Sequence, residues 1–185
     1  MSDELWVDGD GWTSPKDYIN EVSDFPQNGI SFKDISPLLA NSELFKKVIA
    51  NMGNLLSKVP DYWIGIESRG FLFAPALACK FGGGVVMCRK AGKLPPIVFS
   101  HSYETEYSED TLQIKQGNGT AVIVDDVLAT GGTLQGVNHL VGMAGYDVID
   151  NLVLIDLLYV TRTFTMIVDG AKEFDLEVKS LIQYE

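Results

Sequence analysis

The stretch from Ala121 to Gly136 reads Ala-Val-Ile-Val-Asp-Asp-Val-Leu-Ala-Thr-Gly-Gly-Thr-Leu-Gln-Gly, and few folds accommodate it. Ala121 to Val124 is a short continuous apolar run in which all but the alanine are β-branched. A strand buried on both faces of a parallel sheet has this composition. Asp125 and Asp126 follow, then Ala129-Thr130-Gly131-Gly132-Thr133. Beyond them Leu134, Val137, Leu140, Val141 and Ala144 recur at steps of three and four, which predicts a helix. The order strand, loop, helix puts the loop at the carboxyl end of the strand, where open α/β sheets bind ligands.

The loop chemistry suits a sugar phosphate. Gly131 and Gly132 let backbone N–H groups turn inward, and Thr130 and Thr133 add hydroxyl donors. The helix N-terminus behind them carries partial positive charge, so the loop is an anion cradle. No Gly-Lys-Ser/Thr ending is present, which argues against a nucleoside-triphosphate P-loop. Asp125 and Asp126 accept hydrogen bonds only and would repel a phosphate, but they suit a pair of ribose hydroxyls. Together these groups describe a ribose 5-phosphate site. The alternative is a solvated acidic loop.

Other stretches fill in a single α/β domain. The chain has 185 residues, 46% hydrophobic and 21% charged, which is ordinary globular usage with enough chain for a core. A net charge of −11 argues against nucleic acid as a partner. No apolar run approaches membrane-spanning length. The start, Met-Ser-Asp-Glu-Leu-Trp, lacks the marks of a secretion signal, so a cytoplasmic location is expected. Cys79 and Cys88 lie in apolar runs and read as reduced core thiols. Residues 1 to 15 are acidic and turn-rich, and are expected to form an arm anchored by Trp6 and Trp12. A short helix is expected over Lys16 to Val22, a turn at Asn28-Gly29, and a short strand around Ile30 and Phe32. Phe32 is a core aromatic or a ring that stacks on a planar base. Ser42 to Val59 is predicted as the clearest helix, capped by Ser42 and ended by Pro60.

Two further loops fall at strand ends. Tyr62 to Ile66 is an apolar strand, followed by Glu67-Ser68-Arg69-Gly70 and an apolar helix from Phe71 to Phe81. Gly70 permits a tight backbone and Arg69 supplies positive charge, although a helix-capping loop with a surface ion pair would read the same way. Gly84 to Cys88 is a strand that runs into Arg89-Lys90-Ala91-Gly92-Lys93-Leu94-Pro95. These cations are either a solvated face or an anion clamp that uses arginine's fork geometry. Residues 96 to 119 read as one long connection, which is usually functional or disordered in a compact domain. His101 is read as a polar loop residue and His139 as a surface residue. Val148 to Leu158 is expected to close the sheet.

The segment Val-Ile-Val-Asp-Asp-Val-Leu-Ala-Thr-Gly-Gly-Thr resembles the phosphoribosyl pyrophosphate (PRPP) motif of type I phosphoribosyltransferases. The segment Phe25-Pro26-Gln27-Asn28-Gly29-Ile30-Ser31-Phe32-Lys33-Asp34-Ile35-Ser36-Pro37 resembles the hood signature of the adenine phosphoribosyltransferase family. Glu67-Ser68-Arg69-Gly70 resembles that family's pyrophosphate loop. Arg89 to Pro95 resembles its Arg-Lys-Pro-Gly-Lys-Leu-Pro, with Ala91 for proline. Ser102 to Tyr107 resembles its flap, Ser-Tyr-x-x-Glu-Tyr. The resemblance covers residues 16 to 158 and the last few. Residues 159 to 178 lack the family's Gly-Arg-Glu-Lys stretch.

The resemblance implies a mainly parallel twisted sheet with helices on both faces, a small N-terminal hood and a mobile flap. It implies one phosphoribosyltransferase domain over 1–185, with arm and hood at 1–35, core at 36–158 and tail at 159–185. Adenine and PRPP would give AMP and pyrophosphate in purine salvage. Mg²⁺ would be held mainly by substrate oxygens, with no direct protein ligand. By resemblance Glu106 is the acid/base at the purine, with Glu104 offering the same chemistry two residues away and Tyr103 and Tyr107 flanking them. Ser31, Phe32 and Lys33 would bind adenine. Asp125, Asp126, Ala129, Thr130, Gly131, Gly132 and Thr133 would hold the ribose phosphate. Glu67, Ser68, Arg69, Gly70, Arg89, Lys90 and Lys93 would hold pyrophosphate. A homodimer is implied as well. The competing readings are the same transfer to xanthine or orotate, and a non-catalytic PRPP-sensing regulator. The hood and flap argue against the first, and a short acidic arm with no DNA-binding module argues against the second.

Overall fold

A computed structural model of the chain describes residues 14–104, 109–162 and 177–185. The chain divides into two compact units, Met1–Val48 and Ile49–Glu185, with the division falling inside a helix.

In the first unit the Ser14 hydroxyl accepts the Lys16 N–H at 3.3 Å and opens a 3-10 turn, Pro15–Tyr18. The expected helix over Lys16 to Val22 does not form. Instead β1 (Asn20–Ser23) pairs antiparallel with β2 (Ser31–Asp34), placing Val22 opposite Phe32. Cross-strand packing overrides local helix propensity here. Gly29 makes the turn at φ 85°, a left-handed conformation, and donates its N–H to Asp24 Oδ1 at 2.7 Å. A short helix α1 (Ser36–Ala40) starts where Asp34 Oδ1 accepts the Ser36 N–H at 2.9 Å.

Helix α2 (Ser42–Asn54) is shorter than the sequence suggested. Its cap is Asn41, whose Oδ1 accepts the Leu44 N–H at 3.1 Å, one residue before the expected Ser42. It ends early because Gly53 and Asn54 are poor helix formers and Pro60 disfavours helix in the residue before it. Val59 is accordingly 45% exposed.

The second unit is built on a seven-stranded sheet. Its strands are β3 (Tyr62–Ile66), β4 (Gly84–Lys90), β5 (Phe99–Glu104), β6 (Glu109–Ile114), β7 (Thr120–Leu128), β8 (Asp147–Leu157) and β9 (Lys179–Tyr184), in the order β5-β6-β4-β3-β7-β8-β9. The run from β4 to β9 is parallel, and β5 and β6 are antiparallel additions at one edge. Within the stretch 96 to 119, β5 and β6 therefore pair as a ribbon, where a plain connection was expected. The sheet also continues one strand past β8, because β9 adds beside it.

Helix α3 (Gly70–Phe81) connects β3 to β4, and α4 (Gly132–Met143) connects β7 to β8. The two crossovers step in opposite directions along the sheet, so right-handed connections put the helices on opposite faces. Side-chain alternation agrees. Ile64, Ile66, Ala121 and Ile123 join Leu134, Val137 and Leu140 of α4 in one core cluster. Gly65 faces the other way, toward Phe71 and Ala74 of α3. The crossover direction reverses between β3 and β7, and open α/β sheets bind ligands at the carboxyl ends of the strands at such a point.

Candidate active site

Strand β7 runs on through Asp125 and Asp126 to Leu128, so both aspartates are strand residues and not loop residues. Pairing with β3 stops at Val124, while pairing with β8 continues to Leu128 opposite Asp156. The last rungs of β7 thus form a ledge beyond the end of β3. Alternation along the strand directs Asp126 toward the α3 face and Asp125 toward the other, yet the two carboxyl groups stay within hydrogen-bonding reach of each other. Asp125 Oδ1 accepts the Asp126 N–H at 2.9 Å. Burial raises the Asp125 carboxyl well above its ordinary range, and the neighbouring Asp126 charge adds to this. Burial also raises Asp126, and outweighs the opposing Arg69 charge.

Arg69, at the start of α3, places Nε 2.8 Å from Asp126 Oδ2. The alignment is not that of a hydrogen bond, and Oδ2 is a buried acceptor with no aligned donor. Gly70 lets the loop approach this closely, because a Cβ there would sit 2.5 Å from the Val124 carbonyl oxygen and 3.4 Å from Asp125 Oδ1. The preceding Glu67–Ser68 peptide is cis, and Ser68 is exposed.

Glu67 organises the third loop. Its carboxylate accepts Arg89 Nε at 3.1 Å, Arg89 Nη2 at 3.4 Å and the Lys90 N–H at 2.9 Å. Burial pushes the Glu67 carboxyl up, but these donors and the charges of Arg89 and Lys93 outweigh it and hold the carboxyl below its usual range. The Arg89 guanidinium also lies 5.7 Å from the Phe71 ring centre. Ala91, standing where the family has proline, donates its N–H to Thr111 O at 2.9 Å, a bond that proline cannot make. Gly92, at φ 79°, donates to Gln113 Oε1 at 2.9 Å. The loop is therefore tied to β6, with Lys90 and Lys93 exposed.

Beyond the β7 ledge, Gly131 adopts φ 89° and opens α4, accepting the Gln135 N–H at 2.9 Å. No side chain caps α4, so the first-turn amides of Gly132 and Thr133 face outward from a helix N-terminus as anion donors. Ala129 and Thr130, both half-buried, bridge the ledge to this turn. Sequence reasoning missed Arg162. Its guanidinium donates to Leu128 O at 3.3 Å and to Ala129 O, and pairs with Asp156. Contacts to backbone carbonyls leave no motif, and thirty-odd residues separate Arg162 from the loop that it touches.

In the first unit Phe32 meets Phe25 edge-on with ring centres 5.1 Å apart. Lys33 is buried, pairs with Glu21 at 2.9 Å and donates to Ser31 Oγ at 3.2 Å. Ser31 and Lys33, two apart on β2, send their backbone groups to one edge. Glu106 and Tyr107 lie outside the described residues, and Tyr103 falls within β5. His101 and His139 are in ring contact at 4.7 Å. Cys88 is buried and its thiol is pushed up to about 12 by burial and by the Asp125 and Glu67 charges, whereas Cys79 is exposed rather than in the core. Among the described residues no group of three or more His, Cys, Asp or Glu is arranged to hold a metal, and no helix is long and apolar enough to cross a membrane.

Comparison with known proteins bears on these loops together. The family described as Phosphoribosyl transferase domain matches residues 34–158. The adenine phosphoribosyltransferase of Rhodospirillum rubrum is 40% identical over 175 residues, which are 92% of this chain and 98% of the relative. That of Bdellovibrio bacteriovorus is 44% identical over 91% of this chain and 98% of its own. The crystal structure of the enzyme from Thermoanaerobacter pseudethanolicus superposes with a TM-score of 0.79 at 39% identity, covering 91% of this chain and 97% of that one.

Proposed function

The chain belongs to the adenine phosphoribosyltransferase family, and from that premise we infer that it transfers the phosphoribosyl group of PRPP to adenine, giving AMP and pyrophosphate. One observation carries the placement of the sugar. Asp126 Oδ2 is a buried acceptor with no aligned donor, and its strand leads through Ala129 and Thr130 into a helix N-terminus whose amides no side chain caps. A ribose 5-phosphate supplies the missing members of both sets, with ring hydroxyls to donate to the carboxylate and a phosphate to accept from Ala129 to Thr133. Because the Asp125 and Asp126 carboxyl groups interact with each other, the diol would meet them together at the open edge of the ledge.

Displacement at the anomeric carbon builds positive charge on the sugar. Carboxylates that burial has stripped of water interact strongly with such a charge. Arg69, Arg89, Lys90 and Lys93, with Glu67, Ser68 and Gly70 shaping their loops, would hold the departing pyrophosphate. Arg69 would share itself between that anion and Asp126. The hard oxygen donors at the site suit a magnesium-loaded substrate, and Mg²⁺ carried on the pyrophosphate and ribose oxygens would neutralise the leaving group. Ser31, Phe32 and Lys33 would bind adenine, Phe32 through its ring and the other two through backbone groups. Glu106 would exchange the proton at the purine imidazole, within the flap that Tyr103 and Tyr107 flank. The chain would act as one phosphoribosyltransferase domain in the cytoplasm, where its free thiols stay reduced.

A homodimer has its own support. Helix α3 is apolar even on its outward side, where Leu72 is 45% exposed, and Val85 and Met87 on the same face of β4 are 42% and 45% exposed. A helix that is apolar all round needs a partner. The test of function is product analysis with PRPP, Mg²⁺ and a panel of adenine, xanthine and orotate. AMP from adenine alone is the expected result, and turnover confined to another base, or none, refutes it.

A further inference from the structure

We propose that Arg162 is a positioning residue for the 5-phosphate loop, acting through the backbone carbonyls of Leu128 and Ala129. The proposal rests on the assignment of that loop to the sugar phosphate. Arg162 lies in the stretch where the chain departs from the family pattern, yet its guanidinium reaches back to the end of β7. The last rung of the β7–β8 ladder pairs Leu128 with Asp156, and Arg162 binds both sides of it. On one side Nη1 donates to the Leu128 and Ala129 carbonyl oxygens, and on the other Nη2 pairs with the Asp156 carboxylate. The Asp156 charge holds the guanidinium in place and offsets its charge.

The consequence follows from peptide geometry. In a planar trans peptide the C=O of one residue and the N–H of the next point in opposite directions. Fixing the Leu128 and Ala129 carbonyls toward Arg162 aims the Ala129 and Thr130 N–H groups the other way. Two residues further on, Gly131 turns the chain and α4 begins. Arg162 thus orients the first amides of the cradle, and α4 supplies the rest. A lysine keeps the charge, but as a point donor it cannot bridge two carbonyls and a carboxylate with a rigid fork.

The experiment measures binding of ribose 5-phosphate and, separately, of pyrophosphate by calorimetry to wild type, Arg162→Met and Arg162→Lys, each with a thermal melt. Loss of a charged hydrogen-bonding group should weaken ribose 5-phosphate binding by about 10- to 100-fold, with pyrophosphate affinity within a few-fold of wild type. Arg162→Lys should recover only a small part of this, and in an additional variant, Arg162→Ala, added guanidinium ion should restore binding at concentrations that leave wild type unchanged. Normal ribose 5-phosphate affinity in a folded Arg162→Met overturns the proposal. So does parallel loss of both ligands, which would mark a general structural role. If Arg162→Met fails to fold, Arg162→Lys decides alone, and full affinity there refutes the fork. A wild-type chain that binds ribose 5-phosphate but makes no AMP would sink the proposed reaction and leave this inference standing. One that binds no sugar phosphate would sink both.

Discussion

Gly70→Ala is the sharpest structural test of how the two central loops meet. Gly70 is buried, and an added Cβ would sit 2.5 Å from the Val124 carbonyl oxygen, a distance that real Cβ contacts essentially never show. The obstacle is backbone, not the flexible end of a side chain, so α3 and β7 must part by at least half an ångström. Overpacking of this kind costs about 1–3 kcal/mol. For a chain of this length each kcal/mol shifts Tm by roughly 2–4 °C. The displaced segment leads directly into Asp125 and Asp126, and misplacement on the order of 1 Å can cost about 100-fold in rate. Calorimetric melts and steady-state kinetics with varied PRPP should therefore show a lowered Tm and a kcat/KM for PRPP reduced by at least about tenfold. Gly142→Ala is the matched control. Its Cβ would meet nothing within 4 Å on α4, so the same change should stabilise by up to about 1 kcal/mol and leave kinetics alone. A Gly70→Ala protein with wild-type Tm and kinetics would refute the reasoning.

Asp126→Asn should show a pH-dependent stability effect. A carboxyl raised in the fold favours folding at low pH and loses that contribution as pH rises from the unfolded value of 3.8 through its folded value. The Tm of the variant minus that of wild type should thus grow more positive from about pH 4 toward neutrality, while PRPP turnover falls; a flat difference would contradict the assignment. Glu106→Gln should lower kcat by about 10²–10⁴-fold with PRPP affinity kept, and Glu104→Gln should stay within a few-fold of wild type. Equal kcat values for the pair would mean that neither carboxylate moves a proton. Asn41→Ala should lower stability by about 1 kcal/mol in denaturant titration, whereas Ser42→Ala should lower it by much less, since the cap bond comes from Asn41.

How much of this was legible in the sequence depended on burial. Tyr62–Ile66 and Ala121–Val124 declared themselves as strands because both faces of a parallel sheet select apolar residues, and the five-residue β3 matches its run. The ribbon of β5 and β6 did not, because every pair after Phe99–Ile114 includes a polar partner, as where Ser102 and Thr111 hydroxyls meet at 2.8 Å. β9 was hidden for a similar reason, since it joins the sheet only through its register with β8. Loop positions were recoverable because strand, glycine and helix follow one another locally. The extension of β7 through Asp125 and Asp126 was not, because it depends on a partner strand remote in sequence. Arg162 escaped altogether for lack of any spacing rule that links a side chain to distant carbonyls.

The placement of charge bears on how an acidic chain takes a highly anionic substrate. With a net charge of −11 the long-range field opposes approach, so affinity has to arise locally. The two arginines of the pyrophosphate loops already face carboxylates, Arg69 beside Asp126 and Arg89 beside Glu67. This pairing fixes their geometry before substrate arrives, but it also cancels part of the charge that they offer an incoming anion. The 5-phosphate cradle works differently, since its donors are backbone amides whose dipoles neither titrate nor attract counterions as side-chain charges do. Salt should therefore separate the two subsites. Exposed charges such as Lys90 and Lys93 are screened over a Debye length of about 10 Å at 0.1 M, whereas amides at a helix end act by contact. Raising ionic strength should weaken pyrophosphate binding more steeply than ribose 5-phosphate binding in paired titrations. Equal slopes would mean that the cradle draws its affinity from side-chain charge after all, with Arg162 as its only described source near the loop.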